Sequence, residues 1–280
     1  VNDNIGKAIL WMTVSALGFA LMGAAVHDLG NIPLAETVFS RNLIILGLTG
    51  VVVIRQRENP FRVTLQNRSI ILRSISGLCG VSLFFYALQH LPLAEATLLN
   101  KLSPFVVVLL ARMFLGEPTS RKSIFAMVIA FCGTILVINP GSGYSLVPAL
   151  AGVASAFFAG AAYTIIRSLK GRIKPHLIVF IFSLFSTLVT LPIVLFTGII
   201  PNSHQLLLLL ATGVFAGLGQ YALTKAFHYS PAGRVSLFSY LSVLFALVVG
   251  VILWNEVPGT IQIAGGALIL TGAVVNSFEK

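Results

Sequence analysis

The chain has 280 residues, of which 57% are hydrophobic and only 9% charged, with a mean hydropathy of +0.96. Soluble domains carry about 25% charged residues, so this chain cannot cover a water-facing surface, and the composition excludes a soluble globular class in favour of a polytopic membrane protein. A formal net charge of +10 would suit a nucleic-acid binder, but the placement of those charges argues otherwise.

A helix needs about 20 mostly apolar residues to cross a bilayer. Ten stretches qualify, near 6–26, 34–54, 69–89, 93–115, 121–138, 147–167, 176–197, 204–228, 232–254 and 259–277. The predicted fold is all-α, with ten transmembrane helices. The first apolar run, after Lys7, is about 20 residues long, which exceeds the core of a cleavable signal and predicts a retained span. Turn formers punctuate short connections at Gly30–Pro33, Asn139–Gly143, Gly198–Asn202 and Pro258–Gly259, whereas Arg55–Arg68 is a charged linker containing Pro60. Cys79 and Cys132 fall in apolar runs without metal or redox spacing and read as packing residues.

With the N-terminus placed in the cytoplasm, the inner ends collect Lys7, Arg55, Arg57, Arg62, Arg68, Arg73, Arg112, Arg121, Lys122, Arg167, Lys170, Arg172, Lys174, Lys225, Arg234 and Lys280. That is 16 of the 18 Lys and Arg, and the outer connections hold none. The positive-inside rule predicts both termini in the cytoplasm of a multi-pass protein of the inner cell membrane. Basic residues spread over several loops as an orientation signal do not form a nucleic-acid surface. The two left over, Arg41 and Lys101, lie eight and nine residues after Pro33 and Pro92. At 1.5 Å per residue both are about 12–14 Å below the outer boundary, approaching the midplane.

Lys101 belongs to the unusual stretch Leu91–Pro118, with Asn100 before it and Pro104 after it. A lysine near the centre of a membrane helix costs about 2.5–3.5 kcal/mol on insertion scales. Pro104 removes a helical donor beside it, which a membrane tolerates where other groups satisfy the backbone. Lys101 could snorkel outward or pair with Glu95 or Glu36; the alternative is a cavity cation for an anionic group, preferred because intramembrane ionisable groups default to function. Arg41 either brackets cargo or braces its helix against carbonyls.

An offset of 139 residues superimposes the halves without gaps: Gly80, Ala87, Pro92, Leu98, Leu102, Ser103, Glu117, Ile124 and Gly133 fall on Gly219, Ala226, Pro231, Leu237, Leu241, Ser242, Glu256, Ile263 and Gly272. Five spans per half would turn the second half over, giving inverted repeats of residues 1–140 and 141–280 around a midplane site. Pro92–Ala96, Ser103–Pro104, Leu115–Glu117 and Glu36–Asn42 resemble the EamA-type branch of the drug/metabolite transporter superfamily. That resemblance covers essentially the whole chain. It implies a ten-helix transporter whose cavity is lined by helices 1, 3, 4, 6, 8 and 9, with 5 and 10 peripheral. Val243 stands where Pro104 would recur, so an unbent ninth helix would make the two gates unequal.

The expected substrate-binding residues are Arg41, Asn100 and Lys101, together with Tyr86, Ser82, Tyr163, Gln220, Tyr221, Tyr240 and Trp11 on helices the family uses for its cavity. Trp11, near a helix end, equally suits an interfacial belt. The Gly213–Gly217 and Gly265–Gly266 glycines read as helix packing, with a dimer face as the alternative. Glu117 and Glu256 read as a repeated cap or gate. The sequence lacks a GxxxxGK[ST] nucleotide motif, and no cofactor is expected. The reading is a secondary transporter, not an enzyme, for a small polar metabolite such as an amino acid or other carboxylate. The protein would be a monomer or weak homodimer whose partners are the substrate and the bilayer. A lipid-intermediate flippase and, less favoured, an intramembrane transferase are the alternatives.

Overall fold

The computed structural model describes residues 3–91, 93–138, 146–255 and 259–277. In chain order the long helices are α1 (Ile5–His27), α2 (Leu34–Arg55), a short α3 (Pro60–Gln66) and α4 (Ser69–His90). Next come α5 (Leu93–Asn100) and α6 (Ser103–Leu110), which continues into a π-helical turn, Ala111–Leu115, and then α7 (Arg121–Ile138). The second half holds α8 (Leu146–Ser168), α9 (Pro175–Thr197) and α10 (Ser203–Tyr229). It ends with α11 (Ala232–Ser236), a 3₁₀ turn at Leu237–Tyr240, α12 (Leu241–Trp254) and α13 (Thr260–Ser277).

Among the described residues, eight segments are long and apolar enough to cross a membrane: α1, α2, α4, Ala96–Leu115, α8, α9, α10 and Ala232–Leu253. The expected spans near 121–138 and 259–277 form α7 and α13, each 18 residues, and are not among the eight. The protein is an all-helical polytopic membrane protein. The charged linker is not wholly irregular. Asn59 accepts a hydrogen bond from the Arg62 N–H at 3.1 Å and Pro60 opens α3, whose Phe61 and Leu65 are exposed.

The helices pair across the halves: α1 with α10, α4 with α8, α2 with α9 and α7 with α13. Small residues permit this. A Cβ on Gly133 would lie 2.6 Å from the Gly265 carbonyl oxygen, and one on Gly265 would lie 2.6 Å from that of Gly133. Gly265 is therefore used within the chain, to bring α7 and α13 into backbone contact. Gly213 and Gly217 likewise face Ile44, Ile45 and Leu48 of α2.

Both broken helices stop in the same way. Gly116 (φ 64°) ends the π turn, with the Glu117 N–H donating to the Ala111 carbonyl, and Asn255 (φ 54°) ends α12. Glycine and asparagine are the residues that adopt this left-handed conformation most readily, and the two are 139 positions apart.

Candidate functional site

Pro104 has no N–H to give the Asn100 carbonyl, and the helix breaks there. The Lys101 N–H turns to the Leu98 carbonyl at 3.0 Å and the Thr97 carbonyl at 3.1 Å, and that of Leu102 to Leu99 at 3.1 Å. This tightened turn projects Lys101 toward the second half. Its Nζ donates to Ser242 Oγ at 2.5 Å and to the Ser239 carbonyl at 3.2 Å, while the Tyr240 hydroxyl donates to the Lys101 carbonyl at 2.9 Å. Asn100 Nδ2 donates to Ser155 Oγ on α8 at 3.1 Å. The facing 3₁₀ turn at Leu237–Tyr240 shows that the second half is also irregular at this level, without a proline.

A cavity of about 920 Å³ occupies the centre of the bundle. It runs from Gly30, Asn31 and Gln89, which are exposed, down to Met12, Arg73, Tyr163 and Leu223. Three cations line it: Arg41 from α2, Arg73 from α4 and Lys101 from the break. Arg41 and Arg73 are 2% and 1% exposed. The Arg73 guanidinium lies over the Phe182 ring, 4.2 Å from its centroid. A Cβ on Gly77 would strike Arg73 Nη1, so this glycine is what lets the guanidinium lie across the helix. Arg41 Nε, Arg73 Nε and Nη1, and Gln220 Nε2 are buried hydrogen-bond donors without a protein partner. Among the described residues no Asp or Glu lines the cavity.

The end of the bundle carrying Asp3 is shut by ion pairs. Arg167 Nε donates to Glu117 Oε1 at 2.6 Å, and Arg167 Nη1 and Lys170 Nζ reach Asp3 at 3.2 and 2.6 Å. Glu117 Oε2 accepts the Ala232 N–H at 2.7 Å, tying the start of α11 to the end of the first broken helix. Beside this, Glu58 pairs with Lys174 and His176. Burial would raise the Asp3 and Glu58 carboxyls, but the hydrogen bonds from Lys170 and Arg167, and from Lys174 and His176, outweigh it and hold both below the usual carboxylate range.

A hydrophobic bundle around a polar, cationic hollow shut at one end is a carrier's architecture, and comparison with known sequences decides which carrier. The EamA-like transporter family matches residues 6–139 and, a second time, residues 146–278. The chain belongs to the EamA-like transporter family. It is 33% identical to the pseudopaline exporter CntI of Pseudomonas aeruginosa strain UCBPP-PA14, covering 100% of this chain and 99% of the exporter. A riboflavin transporter of Rhizobium johnstonii is 27% identical, covering 95% of this chain and 89% of that one. A crystal structure of another protein superposes with a TM-score of 0.84 at 20% identity, over 97% of this chain and 96% of that chain, which shows a shared fold. This EamA-like transporter is accordingly a membrane transporter and not an enzyme.

Of the residues singled out from the sequence, Arg41, Asn100, Lys101, Tyr163 and Gln220 line the transporter's cavity. Trp11, Ser82, Tyr86, Tyr221 and Tyr240 are not among its walls. Tyr221 packs edge-on to Trp11, 6.1 Å between centroids, and Lys225 Nζ sits over both rings at 5.5 and 5.1 Å. Tyr86 lies against His90, 4.3 Å between ring centroids. Tyr240 is fully buried and acts as a brace on the Lys101 backbone.

Glu36 does not meet Lys101; its Oε2 accepts the Ile199 N–H at 3.0 Å. Pro92, Glu256 and the side chain of Glu95 lie outside the described residues. The walls also include Thr37 and Arg41 of α2 and Phe182 of α9, which are the second and seventh of the expected spans and lie outside the set the family resemblance implied.

Sequence reasoning missed Arg73, counting it as an orientation charge at a helix end. The signal that would have found it is Gly77, four residues on and on the same helical face.

Proposed function

We propose that this transporter moves a small carboxylate-bearing metabolite across the inner membrane by alternating access, driven by the cargo's own gradient or by proton exchange. The observation that carries the reading is the placement of Lys101 and Arg41 on the walls of a central cavity whose described residues include no Asp or Glu. A buried cation costs too much to keep in a purely structural role when none of the described carboxylates meets it. A flippase would turn these cations toward lipid, and a metal-dependent transferase needs clustered ligands. Among the described residues no group of three or more His, Cys, Asp or Glu gathers.

The same proposal takes the chain as ten spans in two inverted repeats, with both termini in the cytoplasm. Its support is the double family match, the crossed pairing of α1 with α10 and α4 with α8, and the repeated left-handed stops at Gly116 and Asn255. In this orientation the ion-paired end faces the cytoplasm and the cavity opens outward.

Proteoliposome counterflow with amino acids, organic acids, nucleobases and cationic dyes tests it. Lys101→Met is expected to lower exchange of anionic substrates at least tenfold. Undiminished exchange of every anionic or zwitterionic substrate by that variant would refute the reading.

A further inference from the structure

The three described wall cations are not equivalent in their surroundings, and those surroundings say more about the cargo than the sign of the charges. Arg41 and Arg73 enter the cavity from α2 and α4, helices in contact with each other, and share its wall with Tyr163. Lys101 is held instead against Ser239 and Ser242 of the second half. We propose that the cargo is a polycarboxylate, with one anionic group taken by the Arg41–Arg73 pair and another by Lys101. This rests on the carboxylate-carrier reading above and sharpens it.

Three features converge on this class. The first is charge: one carboxylate can offset only one of three cations, and none of the described wall residues supplies another. The second is hydrogen-bond polarity. The unpartnered atoms Arg41 Nε, Arg73 Nε, Arg73 Nη1 and Gln220 Nε2 all donate, and a guanidinium has no acceptor. The occupant must therefore bring acceptors in number, and carboxylates facing arginine forks do so two at a time.

The third feature counts against a simple amino acid. Its ammonium would enter a cavity whose described walls already hold Arg41, Arg73 and Lys101 and no carboxylate to receive it. Like charge at close range is how a site rejects a competitor. A phosphate monoester concentrates its charge on one phosphorus, whereas these cations call for anionic groups spread along a carbon skeleton. The cavity, at about 920 Å³, stands near the top of the ~300–1,000 Å³ range of small-molecule sites, so length is not a constraint.

Arg73 is then a binding residue, and its setting explains how. Stacking on Phe182 fixes the plane of the guanidinium, and Gly77 clears the space beneath it. A lysine at this position keeps the charge but loses both the stack and the fork.

The test uses detergent-purified full chain and four probes at equal concentration and ionic strength: alanine, succinate, citrate and glycerol 3-phosphate. Thermal stabilisation is expected to rise in the order alanine, succinate, citrate, with half-maximal concentrations falling at least tenfold between the ends. In Arg73→Gln the advantage of citrate over succinate is expected to shrink at least tenfold, and Arg73→Lys to recover only part of it. If Arg73→Gln does not fold, the wild-type ranking stands alone as the test. Equal stabilisation by alanine and citrate, or none by any acid, overturns the polycarboxylate assignment. Strongest binding of glycerol 3-phosphate overturns it in favour of a phosphate ester. Alanine equal to citrate leaves the carboxylate-carrier reading intact. In the counterflow assay above, exchange of cationic dyes or neutral nucleobases alone removes that reading as well.

Discussion

At the scale of single residues, Gly77 is the position where geometry makes the sharpest demand. An added Cβ would press on Arg73 Nη1 and come within 2.8 Å of the Phe182 ring. Gly77→Ala is expected to cost about 1–3 kcal/mol as overpacking, visible as a lowered Tm in detergent, and to weaken anionic cargo without removing any charge. Gly80→Ala is the comparison. Its Cβ would meet the Ala159 backbone nitrogen at 3.2 Å and no cation, so a lower Tm with a smaller loss of cargo affinity is expected there, although Gly80 also lines the cavity. Equal losses of affinity in both variants would show that α4 packing, not the Arg73 position, governs binding.

Helices are where the sequence was most and least legible. The apolar runs that predicted spans at 6–26, 34–54 and 69–89 appear as Ile5–His27, Leu34–Arg55 and Ser69–His90, because apolar length alone dictates a helix in lipid. The break at Lys101 was legible through Pro104, a covalent cause written in the chain. Its partner at Leu237–Tyr240 was not, because there the backbone tightens where Tyr240 braces the opposite helix, a tertiary cause. Arg73 was hidden for a related reason. A helix-end arginine is the ordinary orientation signal, and only packing against Phe182 turns it inward.

Pro104→Ala restores a donor to the Asn100 carbonyl and is expected to raise helix stability by up to about 3 kcal/mol. It would also draw Lys101 away from Ser242, so counterflow is expected to slow at least tenfold in a protein that melts no lower than wild type. By contrast, α7 and α13 contribute none of the described cavity walls. Gly265→Val is expected to lower the Tm through contact with the Gly133 carbonyl and to leave the concentration dependence of counterflow unchanged.

At the scale of the whole molecule, the closed end is held by Arg167 and Glu117, whose side chains are 9% and 16% exposed. Removing one partner of so buried a pair costs about 3–5 kcal/mol. Glu117→Gln is therefore expected to populate the state open at this end, read as increased thiol labelling of a cysteine placed at Ala232.

The pH dependence has a defined sign. Asp3 and Glu58 are held below their ordinary values of 3.8 and 4.5 in the folded protein. Their stabilising contribution is thus complete above those values and lost only as pH falls below them, through the depressed folded values. Asp3 and Glu58 should contribute no step in Ala232 labelling of the wild type between about pH 5 and 8. A rise within that window would show that other groups titrate in the closure.

The clasp between Glu117 and Arg167 has a consequence for how an empty carrier spends its time. On the repeat register of 139, Glu117 corresponds to Glu256 and Arg167 to Asp28. Two anions cannot make that clasp with each other, so the repeat register does not carry this latch to the opposite mouth. Under the orientation proposed above, an unloaded molecule should idle facing outward, a chamber already waiting for cargo on that side, while cargo arriving from the cytoplasm would first have to prise apart the Arg167–Glu117 ion pair.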